Sequence, residues 1–385
     1  MAGSVPIDLN RAEELFATST DLTVGLEEEF ALLDSETLDL TARFEELRDA
    51  AADDPVLRDA ITGELISSEI EIISGRGEDI HDALARQRER RRRLFALAAD
   101  HDVLLGSTGT HPWADYRQQR NIDTDHYRRV VEGLGYVARR NNTFSLHVHV
   151  GVRGADRAVL ACDRLRPLLP LLLAASASSP FLDGQDTLLA SARSQTFTKS
   201  FPRCGVPDAY GSWAAFRDYL ELLIATGSII EYTQVWWSVR PHATFGTIEV
   251  RIADAQITAA ESDSLAALIV ACTGQLLRDI DEGVPFEDPP PRLIEENLWR
   301  AIRHGMDGRM IDLRRREEVS TRAAVADLWT WSEPLRDELR IDAPSDALNG
   351  AQRQRAVLLA GADLREVYAD TVRETTTTYA QEVPA

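Results

Sequence analysis

The sequence predicts an α+β fold in which a curved, mostly antiparallel sheet of about six strands carries helices on one side. Segments rich in strand-forming residues recur along the first two thirds of the chain, and several carry polar residues at every second position. Such alternation indicates a sheet with one packed face and one open face. The strands are predicted at residues 21–33, 67–74, 102–108, 143–150, 234–239 and 246–252.

Helical patterns, with apolar residues three and four positions apart, lie between and after these strands. The clearest cover residues 79–99, 126–139, 155–176, 213–225 and 259–279. Beyond an acidic, proline-rich loop at 282–291 the chain reads almost wholly helical. Because neither a repeat nor a Gly/Ser linker divides the sequence, we predict one domain over residues 1–385 with a helical C-terminal region at about 290–385.

Composition narrows the classes of partner. The formal net charge is -21, and Lys199 is the only lysine among the basic residues. A surface this acidic repels nucleic acid and anionic membranes, so neither is expected as a partner. Three widely spaced cysteines form neither a disulfide framework nor a zinc motif. The N-terminus lacks a basic stretch followed by an apolar one, and the most apolar run (165–177) is too short to cross a bilayer, so we predict a cytoplasmic protein.

The strand at residues 23–34 contains three consecutive glutamates. Side chains alternate along a strand, so Glu27 and Glu29 share one face, whereas Glu28 lies on the other face with Leu26 and Phe30. Two like charges this close repel each other unless a cation lies between them, and magnesium prefers such oxygen ligands. Taken alone, a solvated acidic strand explains this pattern better than a metal site does.

Three further strands carry the same residue types on one face. His147 and His149 share a face, as do Glu249 and Arg251 before Asp254, and a weaker segment carries Glu69 and Glu71. Surface histidines and an in-strand ion pair are the structural alternatives. Random amphipathic strands would carry more Thr, Ser and Lys, so together the four strands favour a site for a divalent cation and a nucleotide.

These strands resemble those of a known superfamily. Residues 25–34 (GLEEEFALLD) resemble the G-x-E-x-E-F strand of glutamine synthetases and glutamate–cysteine ligases, His147–His149 resembles their H-x-H strand, and Ile248–Arg251 is similar to their I-E-V-R strand. The chain as a whole resembles bacterial carboxylate–amine ligases named glutamate–cysteine ligase type 2, through residues 142–151, 201–213, 236–255 and 297–313.

The resemblance implies a glutamine synthetase-like catalytic fold whose open sheet face forms a funnel that binds ATP. It implies Mg²⁺, with Mn²⁺ as an alternative, and a metal-ligand set made of Glu27, Glu29, Glu71, His147 and Glu249. His149, Arg240 and Arg251 would face the phosphates of ATP, with Arg240 and Arg251 acting in catalysis.

The implied activity is amide bond formation through an acyl phosphate, with glutamate and L-cysteine as candidate substrates. A guanidino phosphotransferase on the same fold is the nearest alternative. A zinc hydrolase based on the two histidines and a non-catalytic binding module are the others, although glutamate ligands suit magnesium better than zinc. The partners expected are small-molecule carboxylates and amines, and the family likeness makes a homo-oligomer reasonable.

Three more segments have competing interpretations. Residues 193–205 are predicted to be a turn-rich basic loop in which Arg193, Lys199 or Arg203 holds the substrate carboxylate, or else a surface loop. His111 and Trp113 either line the funnel or form a structural turn. The arginine-rich run at 88–93 is predicted to be a solvated helix face.

Overall fold

The computed structural model describes residues 8–342 and 348–381, and a seven-stranded antiparallel sheet lies at its centre. The strands of this sheet are β1 (Val24–Asp34), β2 (Ile61–Thr62), β3 (Glu69–Ile73), β4 (Val103–Gly106), β5 (Ser145–Gly151), β10 (Val239–His242) and β11 (Thr247–Asp254). Short two-stranded pairs are formed by β6 (Phe181–Leu182) with β7 (Gln185–Asp186), β8 (Cys204–Gly205) with β9 (Trp236–Trp237), and β12 (Arg309–Asp312) with β13 (Glu317–Ser320).

The α-helices among the described residues are α1 (Leu9–Thr18), α2 (Phe44–Ala50), α3 (Ile80–Asp100), α4 (Asp125–Leu134), α5 (Tyr136–Arg139), α6 (Ala155–Leu165), α7 (Leu169–Ser176), α8 (Ala192–Ser200), α9 (Trp213–Ala225), α10 (Ala259–Asp281), α11 (Pro291–His304), α12 (Thr321–Trp331), α13 (Glu333–Leu339), α14 (Gly350–Leu359) and α15 (Leu364–Tyr379). Single 3-10 turns lie at Ala51–Asp53, Tyr116–Gln118, Arg166–Leu168, Tyr232–Gln234 and Gly305–Asp307. None of the described helices is both long and apolar enough to cross a membrane.

The strand order across the sheet is β10-β11-β5-β1-β3-β2, and β4 pairs with the C-terminal half of β1. Alternation along the strands sends one set of side chains into the hydrophobic core, which has a large cluster at β5 and β11 and a second cluster at β1 and β3. Leu26, Val148 and Val250 lie in that core with the apolar faces of α6, α7 and α10. Helix α10 begins at a capping box in which Thr258 and Glu261 satisfy each other's backbone donors. The packed face therefore holds the strands in register while leaving the opposite face free for polar residues.

The predicted α+β fold with a mostly antiparallel sheet is confirmed, with local differences. The helix predicted over 155–176 is interrupted at Arg166–Leu168, where Pro167 cannot donate the backbone hydrogen bond that would continue it. The C-terminal region contains the β12–β13 hairpin and is not wholly helical. Residues 193–205 are mostly helix α8 and not a loop, because Ser191 caps its N-terminus by accepting from the Ser194 backbone N–H.

The prediction of a fully solvated arginine face at 88–93 is wrong for Arg91. Its side chain is 1% exposed, and it donates from Nε to Glu28 at 2.6 Å and from Nη1 to Asp263 at 2.6 Å. The run lies on α3, whose inner face packs on the sheet, so one arginine must point inward. It is accommodated there because Glu28 and Asp263 supply the opposite charge.

Candidate active site

Strand pairing places the predicted polar residues in adjacent positions on the open face. Glu27 of β1 lies opposite His147 of β5, and Glu29 lies opposite Glu71 of β3. Glu249 of β11 lies opposite His149 of β5 on one side and opposite Arg240 of β10 on the other. These five strands therefore bring together residues that are more than 200 positions apart in the chain.

Two groups of side chains on this face have the geometry of cation sites, and they share His147. One comprises Glu27, His147 and Glu249, and the other comprises Glu29, Glu71 and His147. In each group one ligand atom per residue lies within 4.8 Å of the others. Carboxylate oxygens with one imidazole are ligands that magnesium and manganese accept, so these residues fit a hard divalent cation.

Glu29 is held in place by the first residue of β5. Its Oε2 accepts from the Ser145 backbone N–H at 2.5 Å and from the Ser145 hydroxyl at 2.7 Å. The Ser145 hydroxyl also lies 2.8 Å from His147 Nε2. Ser145 thereby fixes a candidate ligand from each strand relative to the other, which is the role expected of residues around a metal-ligand set.

The side of the site around β3 carries an excess of acid. Burial, together with the charges of Glu27, Glu64 and Glu29, raises the pKa of Glu71 well above its ordinary value. Burial and the neighbouring carboxylates act in the same way on Glu69, and they raise the pKa of Glu64 to about 8. Removing this repulsion requires protons or a cation, so the charge distribution also fits a divalent cation.

Glu27 and Glu249 behave in the opposite way. Burial opposes ionisation of Glu249, but Arg240 and Arg251 outweigh it and hold the pKa of Glu249 well below its ordinary value. Arg240 Nε donates to Glu249 Oε2 at 2.6 Å, and Arg251 Nη1 donates to Glu249 Oε1. Burial likewise opposes ionisation of Glu27, but His149 and His147 lower its pKa well below its ordinary value. Both carboxylates are therefore held in the ionised form, which is the form in which a carboxylate binds a cation.

The two histidines have different surroundings. His149 Nε2 lies 3.1 Å from Glu27 Oε1, and its Nδ1 lies 3.0 Å from the Thr247 hydroxyl. Burial disfavours its charged form, yet Glu27 and Glu249 raise the pKa of His149 above its ordinary value. His147 lies 3.0 Å from Glu27 and 3.5 Å from Arg251 Nη1, and burial and the Arg251 charge lower its pKa. The lowered pKa of His147 favours the neutral form that binds metals, and the raised pKa of His149 favours the charged form that suits an anion.

The basic side of the site is formed by Arg240 and Arg251. Arg240 is held by Glu249 and by the carbonyl of Val235, so its guanidinium has little freedom. Arg251 lies at a β-bulge, where the pairing of β11 with β5 shifts between Val250 and Ala253. Its buried Nε has no hydrogen-bond partner among the described residues. Fixed guanidinium groups beside carboxylate ligands are well suited to hold phosphate oxygens.

A cavity of about 220 Å³ opens beside the row of candidate metal ligands Glu27, Glu29, Glu71, His147 and Glu249 (the ligand row), and both acidic and basic side chains line it. Polar side chains from the sheet and from the surrounding helices and loops line it, among them Glu29, Glu64, Glu69, Tyr127, His147, Arg193, Trp236, Arg240 and Arg251. Its size suits small polar molecules.

The three predicted carboxylate-binding residues lie in different places. Arg193 lines the cavity, and its Nη1 and Nη2 donate to the carbonyls of Ile252 and Arg251 at 3.2 Å. Lys199 is exposed at the end of α8, and Arg203 donates to the Gln234 carbonyl and covers the Trp236 ring, so neither lines this cavity. Helix geometry explains why Lys199 lies away from the cavity. Lys199 follows Arg193 by six residues on α8, and six residues rotate the direction of a side chain by about 240° around the helix axis.

His111 and Trp113 form a structural turn and do not line the cavity. His111 is buried, contacts the Leu38 carbonyl at 2.8 Å and packs against Trp113 and Tyr368. Asp254 also has a structural role, because its carboxylate accepts hydrogen bonds from Ser178, Ser179 and Ser191.

Sequence reasoning missed Glu64, Tyr127 and Trp236 as cavity residues. Glu64 precedes β3 outside any regular pattern, and Tyr127 lies on α4, whose helical period gives no hint of the sheet. The only sequence signal is the high density of glutamate at 64–71, which contains Glu64, Glu69 and Glu71.

Comparison with known proteins places this site in a family. The model for glutamate-cysteine ligase family 2 matches residues 23–363. A relative from Rubrobacter xylanophilus, provisionally named glutamate–cysteine ligase 2-2, is 37% identical over 366 residues, covering 94% of each chain. A provisionally named glutamate–cysteine ligase 2 from Sorangium cellulosum is 39% identical over 306 residues, covering 80% of this chain and 81% of the relative.

A solved structure supports the same fold. The crystal structure of glutamate–cysteine ligase from Francisella tularensis in complex with AMP superposes with a TM-score of 0.68 at 12% identity, covering 94% of this chain and 91% of that one. At that identity the likeness concerns the fold alone. The family match and the curated relatives confirm the predicted class of carbon–nitrogen ligase, and the chain belongs to glutamate-cysteine ligase family 2.

Proposed function

We propose that this chain uses ATP to join a carboxylate to an amine at the open face of the sheet. The observation that carries the proposal is the pair of cation-binding groups that share His147, directly beside Arg251 and the cavity. Family membership supports the same class of reaction.

In this proposal Glu27, Glu29, Glu71, His147 and Glu249 hold Mg²⁺, or Mn²⁺ in its place. When bound, the cation would neutralise part of the negative charge on the phosphates. The Francisella tularensis ligase was solved in complex with AMP, which supports the proposal that this chain also binds an adenine nucleotide. His149, Arg240 and Arg251 are proposed to face the phosphates, where their fixed positions stabilise charge without reorganisation.

The proposed reaction has two steps. A carboxylate oxygen of the first substrate attacks the γ-phosphorus of ATP, and the bond to the ADP oxygen breaks, leaving an acyl phosphate. The amine nitrogen of the second substrate then attacks the acyl carbon, loses a proton and expels phosphate. The reaction needs no protein nucleophile. Cys204 is not suited to be one, because burial raises the pKa of its thiol to about 12 and the reactive form is the thiolate. The protein's task is to position the reactants and to stabilise charge.

We assign the carboxylate substrate to the cavity, with Arg193 as its candidate partner. Arg193 is buried, lies 3.6 Å from Asp254 and has an Nε without a partner among the described residues. The names of the relatives suggest glutamate and L-cysteine as the substrate pair, and an amino acid of that size suits the cavity. We also propose that the protein is cytoplasmic and that it assembles as a homo-oligomer.

The test is a condensation assay with purified protein, ATP, magnesium and single pairs of amino acids, read by mass spectrometry and by release of ADP and phosphate. We expect an amide product with ADP and phosphate in equal amounts. The Glu249→Gln variant should lose turnover by a factor of about 10²–10³, whereas Glu36→Gln, on the exposed turn after β1, should not. A phosphorylated product without free phosphate, or product formed without ATP, would contradict the proposal.

A further inference from the structure

Phe245 lies in the turn between β10 and β11 and is exposed in an unusual way. Phe245 is 61% exposed, yet its ring stacks on the His242 ring, with the ring centroids 4.5 Å apart and the ring planes inclined by 10°. The same ring contacts the ring of His149 edge-on at 5.7 Å. One face of the aromatic ring is thus supported from below while a large part of the side chain faces solvent.

Hydrogen bonds and close packing against α1 hold the turn that carries Phe245. The backbone N–H groups of Phe245 and Gly246 both donate to the His242 carbonyl, at 3.3 and 3.1 Å. Gly246 has φ of +64°, and a Cβ there would lie 3.0 Å from the Leu15 carbonyl, so α1 packs closely against the turn. The Ser19 hydroxyl donates to the Gly246 carbonyl at 2.8 Å. A ligand that stacks on Phe245 would therefore meet a surface that is already ordered.

A row of contacts joins this ring to the ligand set and ends at the cavity. Phe245 contacts His149, His149 pairs with Glu27, and Glu27 pairs with His147, which lines the cavity. The candidate metal ligands thus lie between the cavity on one side and Phe245 on the other. A triphosphate held at the ligand row would have the cavity at one end and Phe245 at the other.

The cavity is too small to take both substrates and the base. Its volume of about 220 Å³ lies below the ~300–1,000 Å³ typical of pockets for drug-sized ligands. Tyr127, Phe197, Phe201 and Trp236 are the aromatic side chains that line it, and the largest of them, Trp236, is already covered by Arg203 at 5.7 Å and contacted edge-on by Phe201 at 5.5 Å. Phe245 has a ring face available for stacking, and aromatic rings bind nucleobases through such faces.

We propose that Phe245, backed by His242, is the stacking platform for the purine base of ATP. This inference rests on the proposed function, because it takes the phosphates to lie at the ligand row. It assigns a nucleotide-positioning role to a residue outside the four polar strand motifs.

The experiment compares wild type with Phe245→Ala and Phe245→Trp, with ATP and with magnesium tripolyphosphate, which has the phosphates without the base. We expect Phe245→Ala to raise the KM for ATP about tenfold while leaving kcat at saturating ATP unchanged, because one stacking contact is lost. Phe245→Trp should restore the wild-type KM. Binding of tripolyphosphate should be the same in all three proteins.

Trp299→Ala provides the matched control, because Trp299 is an exposed aromatic residue on α11, and its removal should leave the KM for ATP unchanged. Equal weakening of ATP and tripolyphosphate by Phe245→Ala, or no weakening of either, would overturn the platform. Loss of ATP affinity in Trp236→Leu alone would do the same by placing the base in the cavity. Calorimetry measures ATP binding without turnover, so this outcome is separate from the ligase proposal, which the condensation assay on wild type tests.

Discussion

The two faces of strand β1 place neighbouring carboxylates in opposite electrostatic surroundings. Glu28 and Glu29 are adjacent and almost equally buried, at 4% and 6% exposure. Glu28 points into the packed face, where it accepts hydrogen bonds from Arg91, Gln87 and Ser262. Glu29 points to the open face, where it lies opposite Glu71 and beside further acids.

The difference shows that charge balance, and not burial, separates a structural carboxylate from a candidate ligand in this strand. Arg91 neutralises Glu28 within the protein, so no outside ion is needed there. Around Glu29, burial together with neighbouring acids that outnumber the nearby cations raises the pKa values of Glu64, Glu69 and Glu71. A surplus of buried acid of this kind is retained where a cation binds.

The largest effect that tests this comparison is a loss of stability on the packed face. Replacing Arg91 by Met leaves Glu28 as a buried charge without its ion-pair partner and leaves Asp263 paired with Arg88 alone. We expect the free energy of unfolding to fall by about 3–5 kcal/mol, measured by urea denaturation.

Arg88→Met is the matched control, because Arg88 also pairs with Asp263 from the same helix but is 41% exposed at its side chain. We expect the free energy of unfolding to change by at most about 1 kcal/mol in this control. A similar loss of unfolding free energy in both variants would contradict the conclusion that Arg91 neutralises the charge of Glu28.

The next effect is a loss of activity without a loss of stability on the open face. Glu29→Gln removes a charge from the acid surplus while keeping an oxygen that accepts from Ser145. Turnover should fall by a factor of about 10²–10³, equivalent to about 3–4 kcal/mol of barrier. Without metal, the free energy of unfolding should stay constant or rise, since repulsion decreases. A protein destabilised to the same extent as Arg91→Met would contradict the assignment of Glu29 to a cation site.

The smallest effect is a pH dependence of stability in the absence of metal. Because the pKa of Glu64 is raised to about 8 from 4.5, the folded state keeps a proton that the unfolded chain releases between these values. The free energy of unfolding should therefore fall as the pH rises from about 5 to about 8, and Glu64→Gln should reduce this slope by about 1 kcal/mol per pH unit.

Added magnesium should raise the melting temperature more at pH 8 than at pH 5.5, because cation and proton compete for the same carboxylates. Thermal denaturation of wild type, Glu64→Gln and the exposed control Glu36→Gln measures both effects. A slope that is identical in Glu64→Gln and wild type would show that Glu64 does not belong to the acid cluster.

The sequence by itself determined the sheet and the candidate ligands on its open face. Two-residue periodicity separates Glu27 and Glu29 from Glu28, and it does the same for the two histidines and for Glu249 with Arg251. Strand pairing then confirmed that these residues share one face. Local alternation suffices here because the apolar residues within each strand show which of its two faces packs against the core.

Only the tertiary structure decided which charges are balanced and which are not. Arg91, assigned to a solvated face from its helix, pairs with Glu28 from a distant strand. Glu64 joins the acids of β3, Arg193 lies at the cavity while Lys199 does not, and Phe245 lies beside His149. The physical reason is that electrostatic energy depends on distances between elements far apart in the chain, and periodicity within one element carries no information about those distances.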